Sequence, residues 1–405
     1  MDWRQLDETY LMSTYKRLPI IADRGEGNYL YDTDGKKYLD LFTGLAVNVL
    51  GHSHPEIMRA LREQGEKFLH VSNYFYNPPA IELAKRLVEH SIPGKVFYGN
   101  SGAEATEAAI KLLHKYTAQI GGKRNGIVVL KNSFHGRTLG ALRLTRQPHV
   151  YQDFPQPAFS VYEVEPGNIE ELRETCLTHR PVAVLMEPVL GSGGIITLSV
   201  DYLQAVEALC REQDMLLAID EIQTGMGRTC SLFAYQHANV KPDLILFAKG
   251  VGGGLPLGGI IAGEKLMNLF APGDHGTTFA PSPLSAALGN AVLNVILDET
   301  FMQAARKTAD HLQQGISALG TEYPELIMEV RGKGMMLGIA LSATPVAVSN
   351  LQKAMIAEGI VVDVTQKTIV RLLPPLTLTT AEDDRFLETF RQQLARLQRG
   401  ELVSS

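Results

Sequence analysis

The chain has 405 residues, 45% of them hydrophobic and 20% charged, with a mean hydropathy of −0.02. That length suits one large or two medium domains, since single cores stop growing at about 250–300 residues, and the composition excludes collagen-like, disordered and membrane-embedded classes. A net charge of −6, from 38 basic and 44 acidic residues with no Lys/Arg-rich run, leaves no footprint for a phosphate backbone, so the expected partner is a small metabolite and not nucleic acid.

Three cysteines, Cys176, Cys210 and Cys230, form no CxxC pair and are odd in number, which points to a reducing interior and to neither a disulfide framework nor a zinc site. The opening MDWRQLDETYLMSTYKRL mixes both charge signs and lacks an apolar signal core. No stretch approaches the roughly 18 apolar residues of a spanning helix, so a cytoplasmic location with no membrane contact is expected.

In chain order, the first signal is EGNYLYDTDGKKYLDLF (26–42), where Asp34-Gly35 between two alternating runs predicts a hairpin. Apolar runs then alternate with helical periods. KVFYG (95–99) is a strand candidate, followed by a helix over 102–116 behind the capping box Ser101-x-x-Glu104. GIVVLK (126–131), VAVLMEP (182–188), MLLAIDE (215–221) and LILFAK (244–249) are further strands, with a helix over 199–213 between the second and third of these. From about residue 295 the texture changes to a helix over 301–320, short strands within 328–341 and 359–375, and a last helix over 381–400. The expected fold is α/β: a large domain on a mostly parallel sheet (56–294), with a smaller α+β domain built from both chain ends (1–55 and 295–405).

In an open α/β sheet, ligands sit outside the carboxyl ends of the strands. KVFYG ends in Asn100-Ser101-Gly102-Ala103, which is either a plain capped helix or a phosphate cup. GIVVLK leads into Phe134-His135-Gly136-Arg137-Thr138, VAVLMEP ends in Glu187, and MLLAIDE ends in Asp220-Glu221. LILFAK closes on Lys249 and is followed by Gly250, Gly252, Gly253 and Gly254. Such a lysine is either snorkelling to the surface or desolvated into a nucleophile toward carbonyls. Asp220 lies 29 residues upstream, about one helix-plus-strand unit, so the two can end neighbouring strands. Lysine, carboxylate, phosphate cup and aromatic ring together are the parts of a pyridoxal phosphate site.

Five ordered strings, NSGAEATEAAIK (100–111), FHGRT (134–138), DEIQTGMGRT (220–229), FAKGVGGGLPLGG (247–259) and HGTTF (275–279), resemble the fold-type I, class III aminotransferases across nearly the whole chain. AVNVLGHSHP (46–55) and RLLPPLTLT (371–379) are most similar to the acetylornithine branch. The resemblance implies Lys249 as the cofactor-bearing lysine and proton shuttle, and Asp220 on the pyridine nitrogen. Gln223 is implied near the phenolic oxygen, with Ser101, Gly102 and Ala103 around the phosphate and Phe134 on the ring. Thr278 would be supplied across a homodimer, and Tyr15, Arg137 and Arg371 would bind substrate. The implied reaction moves an amino group from N-acetylornithine to 2-oxoglutarate, in arginine biosynthesis. The alternatives are another ω-aminotransferase acting on ornithine, succinylornithine or 4-aminobutyrate, and an aminomutase.

Gly44 resembles the glycine of the acetylornithine enzymes and leaves room for an acylated amine. Two departures stand out. Where the family reads Gly-Glu-Gly-Gly after the EP dipeptide, this chain reads Gly191-Ser192-Gly193-Gly194, and HGTTF is followed by Ala280-Pro281-Ser282-Pro283. Without that glutamate, Arg371 is expected to lack its acidic partner unless another carboxylate replaces it. The remaining histidines, His52 and His54 among them, are read as structural. A dehydrogenase is disfavoured because no GxGxxG follows a strand with an acid about 20 residues on.

Overall fold

The computed structural model describes residues 2–122 and 124–402. The apolar runs of the middle of the chain build a seven-stranded sheet in the order Gly94–Gly99, Gly258–Gly263, Leu244–Phe247, Leu216–Asp220, Ala183–Met186, Ile127–Leu130, Val161–Val164. All run one way except Gly258–Gly263, which is antiparallel to both neighbours. The four strands at its centre are buried at every residue, which is why they read as unbroken apolar runs and not as alternations. The period of two is still present underneath. Val128, Val184, Leu217 and Ile245 pack into one core, and Val129, Leu185, Leu216 and Leu244 into the core on the opposite face.

Helices begin where the caps stand. Ser101 accepts from the Glu104 N–H at 3.2 Å and opens Gly102–Gln119, Ser199 opens Val200–Glu212, and Thr379 with Glu382 forms a capping box before Thr380–Gln398. The expected hairpin is present as Tyr29–Asp32 and Lys37–Asp40, with Gly35 at φ +80° in its turn. Lys37–Asp40 also pairs in parallel with Ile360–Val361, so both ends of the chain meet in one sheet. A second antiparallel sheet follows the order Ile327–Lys333, Met336–Leu341, Ile369–Leu372, Asp363–Thr365.

Arg228, fully buried, bolts this part to the large sheet: its Nη1 donates to the carbonyls of Met335, at 3.0 Å, and Pro374. Two strands of the large sheet, Val161–Val164 and Gly258–Gly263, have no counterpart among the strands expected from the sequence. The second reads as a glycine turn, but its glycines answer to crowding: a Cβ on Gly259 would lie 2.2 Å from the Phe97 carbonyl oxygen, and one on Gly258 2.7 Å from that of Ser101.

Candidate active site

Asp220 is the last residue of Leu216–Asp220 and only 3% exposed; it pairs in register with Leu246 of the next strand. That strand stops at Phe247, two residues short of the sequence expectation, and Lys249 opens a 3-10 turn, Lys249–Gly252, with φ +52°. A left-handed conformation is costly for a residue with a Cβ and persists only where the surroundings enforce it. The surroundings here are tight. A Cβ on Gly250 would sit 2.8 Å from Val49 Cγ1, and Gly253 itself takes φ +58°.

Burial pulls the Lys249 ammonium down from 10.5 to about 8; Asp220 opposes this, Arg371 adds to it, and Glu187 opposes it again. About a tenth of the amine is therefore neutral near pH 7, far more than for a solvated lysine. One Asp220 oxygen accepts from the Ile222 N–H at 3.0 Å, and the other meets His135 Nδ1 at 2.7 Å. Since a carboxylate only accepts, Nδ1 carries the hydrogen. His135 Nε2 is buried without a partner among the described residues.

At the start of Gly102–Gln119 the N–H groups of Gly102 and Ala103 have no acceptor among the described residues. A Cβ on Gly102 would lie 2.9 Å from Ile222 Cγ2, so only glycine fits where the helix approaches the Asp220 loop. Free N–H groups at the positive end of an 18-residue helix suit a phosphate, and the Glu104 carboxylate in the first turn is engaged by the Asn100 N–H. These residues, with Asp220 and a depressed lysine, fit pyridoxal phosphate.

Phe134 is half-buried, its N–H donating at 2.8 Å to Glu187 Oε1, while Glu187 Oε2 accepts from the Gly191 N–H at 3.1 Å. Burial raises the Glu187 carboxyl to about 7, against the pull of His135. Arg137 is exposed, with its guanidinium 5.5 Å from the Phe134 ring centroid. Gln223 presses on the loop 191–194: a Cβ on Gly191 would fall 1.8 Å from Gln223 Oε1. The Gly191 carbonyl in turn accepts from Arg371 Nη1 at 3.3 Å.

Thr278 is exposed, next to Thr277, whose hydroxyl accepts from Asn100 Nδ2 at 2.9 Å. Tyr15 is not brought to this cluster among the described residues; it is 76% exposed, and its ring lies 5.8 Å from the Arg17 guanidinium. Arg371 is not left without an acid: of the two outcomes open from the sequence, the structure shows another carboxylate in place of the missing glutamate. Asp363 supplies the carboxylate, its Oδ2 lying 2.8 Å from Nε and 2.5 Å from Nη2. A guanidinium only 5% exposed needs such a partner, and the opposing strand provides one where the loop does not.

Sequence reasoning missed three residues of the cluster. His135 and Glu187 lie at or just past the ends of expected strands, but their roles appear only with Asp220, Phe134 and Gly191 beside them. Asp363 could have been found as a lone acid in the apolar run GIVVDV, opposite Arg371 in a hairpin register.

The acetylornithine aminotransferase of Caldanaerobacter subterraneus is 40% identical over 395 residues, covering 96% of this chain and 98% of that protein. Among solved structures, the N-acetylornithine aminotransferase of Stenotrophomonas maltophilia superposes with a TM-score of 0.84 at 30% identity, over 98% of this chain and 99% of that one. The ornithine aminotransferase of Toxoplasma gondii, in which pyridoxal phosphate partly occupies the active site, superposes with a TM-score of 0.93 at 25% identity, over 100% and 96%. The family model described as Aminotransferase class-III matches residues 10–394, and with nearly the whole chain inside that match this protein belongs to the class III aminotransferases.

Proposed function

We propose that this pyridoxal-phosphate-dependent aminotransferase converts N-acetylornithine and 2-oxoglutarate to N-acetylglutamate semialdehyde and glutamate. The observation that carries the choice of donor is the 40% identity, along almost the full length of both chains, to an enzyme named for acetylornithine. Space at Gly44 supports it: a Cβ there would meet nothing closer than Val47 Cβ at 3.9 Å, in a turn with φ +61°. A second reading, ornithine as donor, is favoured only by the TM-score of 0.93 to the Toxoplasma gondii enzyme, a likeness of fold.

The bound cofactor supplies an electron-accepting ring next to the reacting carbon. The Gly102 and Ala103 N–H groups and the Ser101 hydroxyl would hold its phosphate, and Phe134 and Gln223 would contact its ring. Asp220, held by His135 and Ile222, would keep the ring nitrogen protonated and thereby make proton loss from the substrate easier. Lys249 Nζ takes the proton from the amino-bearing carbon and returns it in the opposite sense when 2-oxoglutarate becomes glutamate. Arg137 grips the substrate carboxylate remote from the reacting carbon.

The enzyme is read as a cytoplasmic homodimer, with Thr278 reaching the partner's phosphate site. Support comes from the exposed aromatic side chains Tyr74, Phe75, Tyr76 and Phe279, too many for a solvated surface, and from three free, buried cysteines. The units 56–294 and 1–55 with 295–405 are taken as its two domains, on the strength of the sheet that joins both chain ends.

Glutamate formation measured over a panel of ω-amino donors with 2-oxoglutarate tests the donor. N-acetylornithine should give the highest kcat/KM; a higher value for ornithine or 4-aminobutyrate would reject the reading.

A further inference from the structure

The two half-reactions make opposite demands on Arg371. N-acetylornithine carries no carboxylate on its reacting carbon, whereas 2-oxoglutarate and glutamate do. A bare buried guanidinium would suit only the second pair, because the first would leave the cation unpartnered in a dry site.

Asp363 and Arg371 are directly opposed in the antiparallel pair of Asp363–Thr365 with Ile369–Leu372. Asp363 takes the Nε and Nη2 side through one oxygen, and the Gly191 carbonyl takes one hydrogen of Nη1. Of five N–H groups on the guanidinium, two therefore remain, one on each Nη, without an acceptor among the described residues. The loop 191–194 adds no charge. Its Ser192 carbonyl accepts from Gln366 Nε2 at 2.7 Å and Thr365 Oγ1 at 3.2 Å, so the loop is stitched to the same hairpin through its main chain.

Resting on the aminotransferase reading, we propose that Asp363 is the specificity-determining counterion of Arg371. Paired, the two groups present a neutral surface to the ω-amino donor and a two-hydrogen fork to the carboxylate beside the reacting carbon of the 2-oxo acid. Asp363 is a positioning residue and touches no substrate. Its side chain has a single methylene and its strand is held in register, so it stays in place while that carboxylate docks.

The test uses the holoenzyme and the variant Asp363→Asn, which keeps the shape and removes the charge. Single-turnover kinetics should show the ratio of glutamate to N-acetylornithine specificity rising at least about tenfold, and calorimetry should show the unreactive dicarboxylate glutarate binding more tightly by a similar factor. Ser192→Glu added to Asp363→Asn should reverse both changes by restoring a carboxylate from the other side. Should Asp363→Asn fail to fold, Ser192→Glu alone decides, since a second negative charge beside an already neutral pair must weaken glutarate binding. A folded Asp363→Asn enzyme with unchanged ratio and unchanged glutarate affinity overturns the proposal, as does a single Ser192→Glu variant that binds glutarate like the wild type. If the wild-type enzyme turned over no ω-amino donor, the functional reading would fall, and the glutarate comparison would still judge the pair.

Discussion

Asp220 and Asp363 are both acids beside a cation, but they are mounted on different backbone. Asp220 ends a strand buried at every residue, and its two oxygens are fixed from two separate elements, the Ile222 N–H and His135. Asp363 stands on a three-residue strand that is half-exposed throughout, and among the described residues its carboxylate bonds to Arg371 alone, with its own side chain 22% exposed. On the proposed reading, the rim of the large sheet serves a step common to every substrate, while the hairpin of the small sheet meets the part of the substrate that differs. Changes at the rim should lower all activities together, and changes at the hairpin should alter their ratio.

The largest effect is expected from Lys249→Ala. Glutamate formation should become undetectable with every donor, while the phosphate cup and Asp220 still retain cofactor, as read by absorbance after dialysis. Residual turnover that kept a donor preference would blur the division between rim and hairpin. Next comes Asp220→Asn, which keeps the size and loses the charge that stabilises a protonated ring nitrogen. Its kcat should fall on the order of 10²-fold or more. The fall should be equal for glutamate and N-acetylornithine, and a change in their ratio would place Asp220 in selectivity as well.

A smaller effect is expected from pH. Without cofactor, Lys249 titrates at about 8, so the rate of cofactor uptake should rise with pH through that value and then level, because only the free amine attacks the carbonyl. The folded value lies below the ordinary 10.5, so this lysine makes the cofactor-free fold more stable as pH rises from about 8 toward 10.5. An uptake midpoint near 10.5, followed by stopped-flow absorbance, would show the amine to be solvated.

Much of the rim was legible because its signals are local. Apolar runs end in Asp220 and close to Lys249, and the cap at Ser101 opens a helix within the same short segment. What escaped depends on groups distant in sequence. Gly258–Gly263 reads as a turn until Phe97 and Ser101 crowd it, and Val161–Val164 is a short, partly exposed edge strand with little apolar signal. His135 gains its role only when the chain brings it to Asp220, 85 residues on. Arg371 was read with the loop at 192 in view, and its partner proved to be a register neighbour eight residues away, a pairing decided by hairpin geometry. Lys249 shows a subtler limit: its place is legible, but its left-handed turn beyond the strand is not, since the neighbour that crowds this turn, Val49 against Gly250, is 200 residues upstream.

In the proposed reaction Lys249 both holds the cofactor and moves the proton. Borohydride reduction of the holoenzyme, followed by peptide mapping, tests this most directly. A stable pyridoxyl label is expected on Lys249 and on no other of the chain's lysines; a label on any other lysine would remove Lys249 from that role.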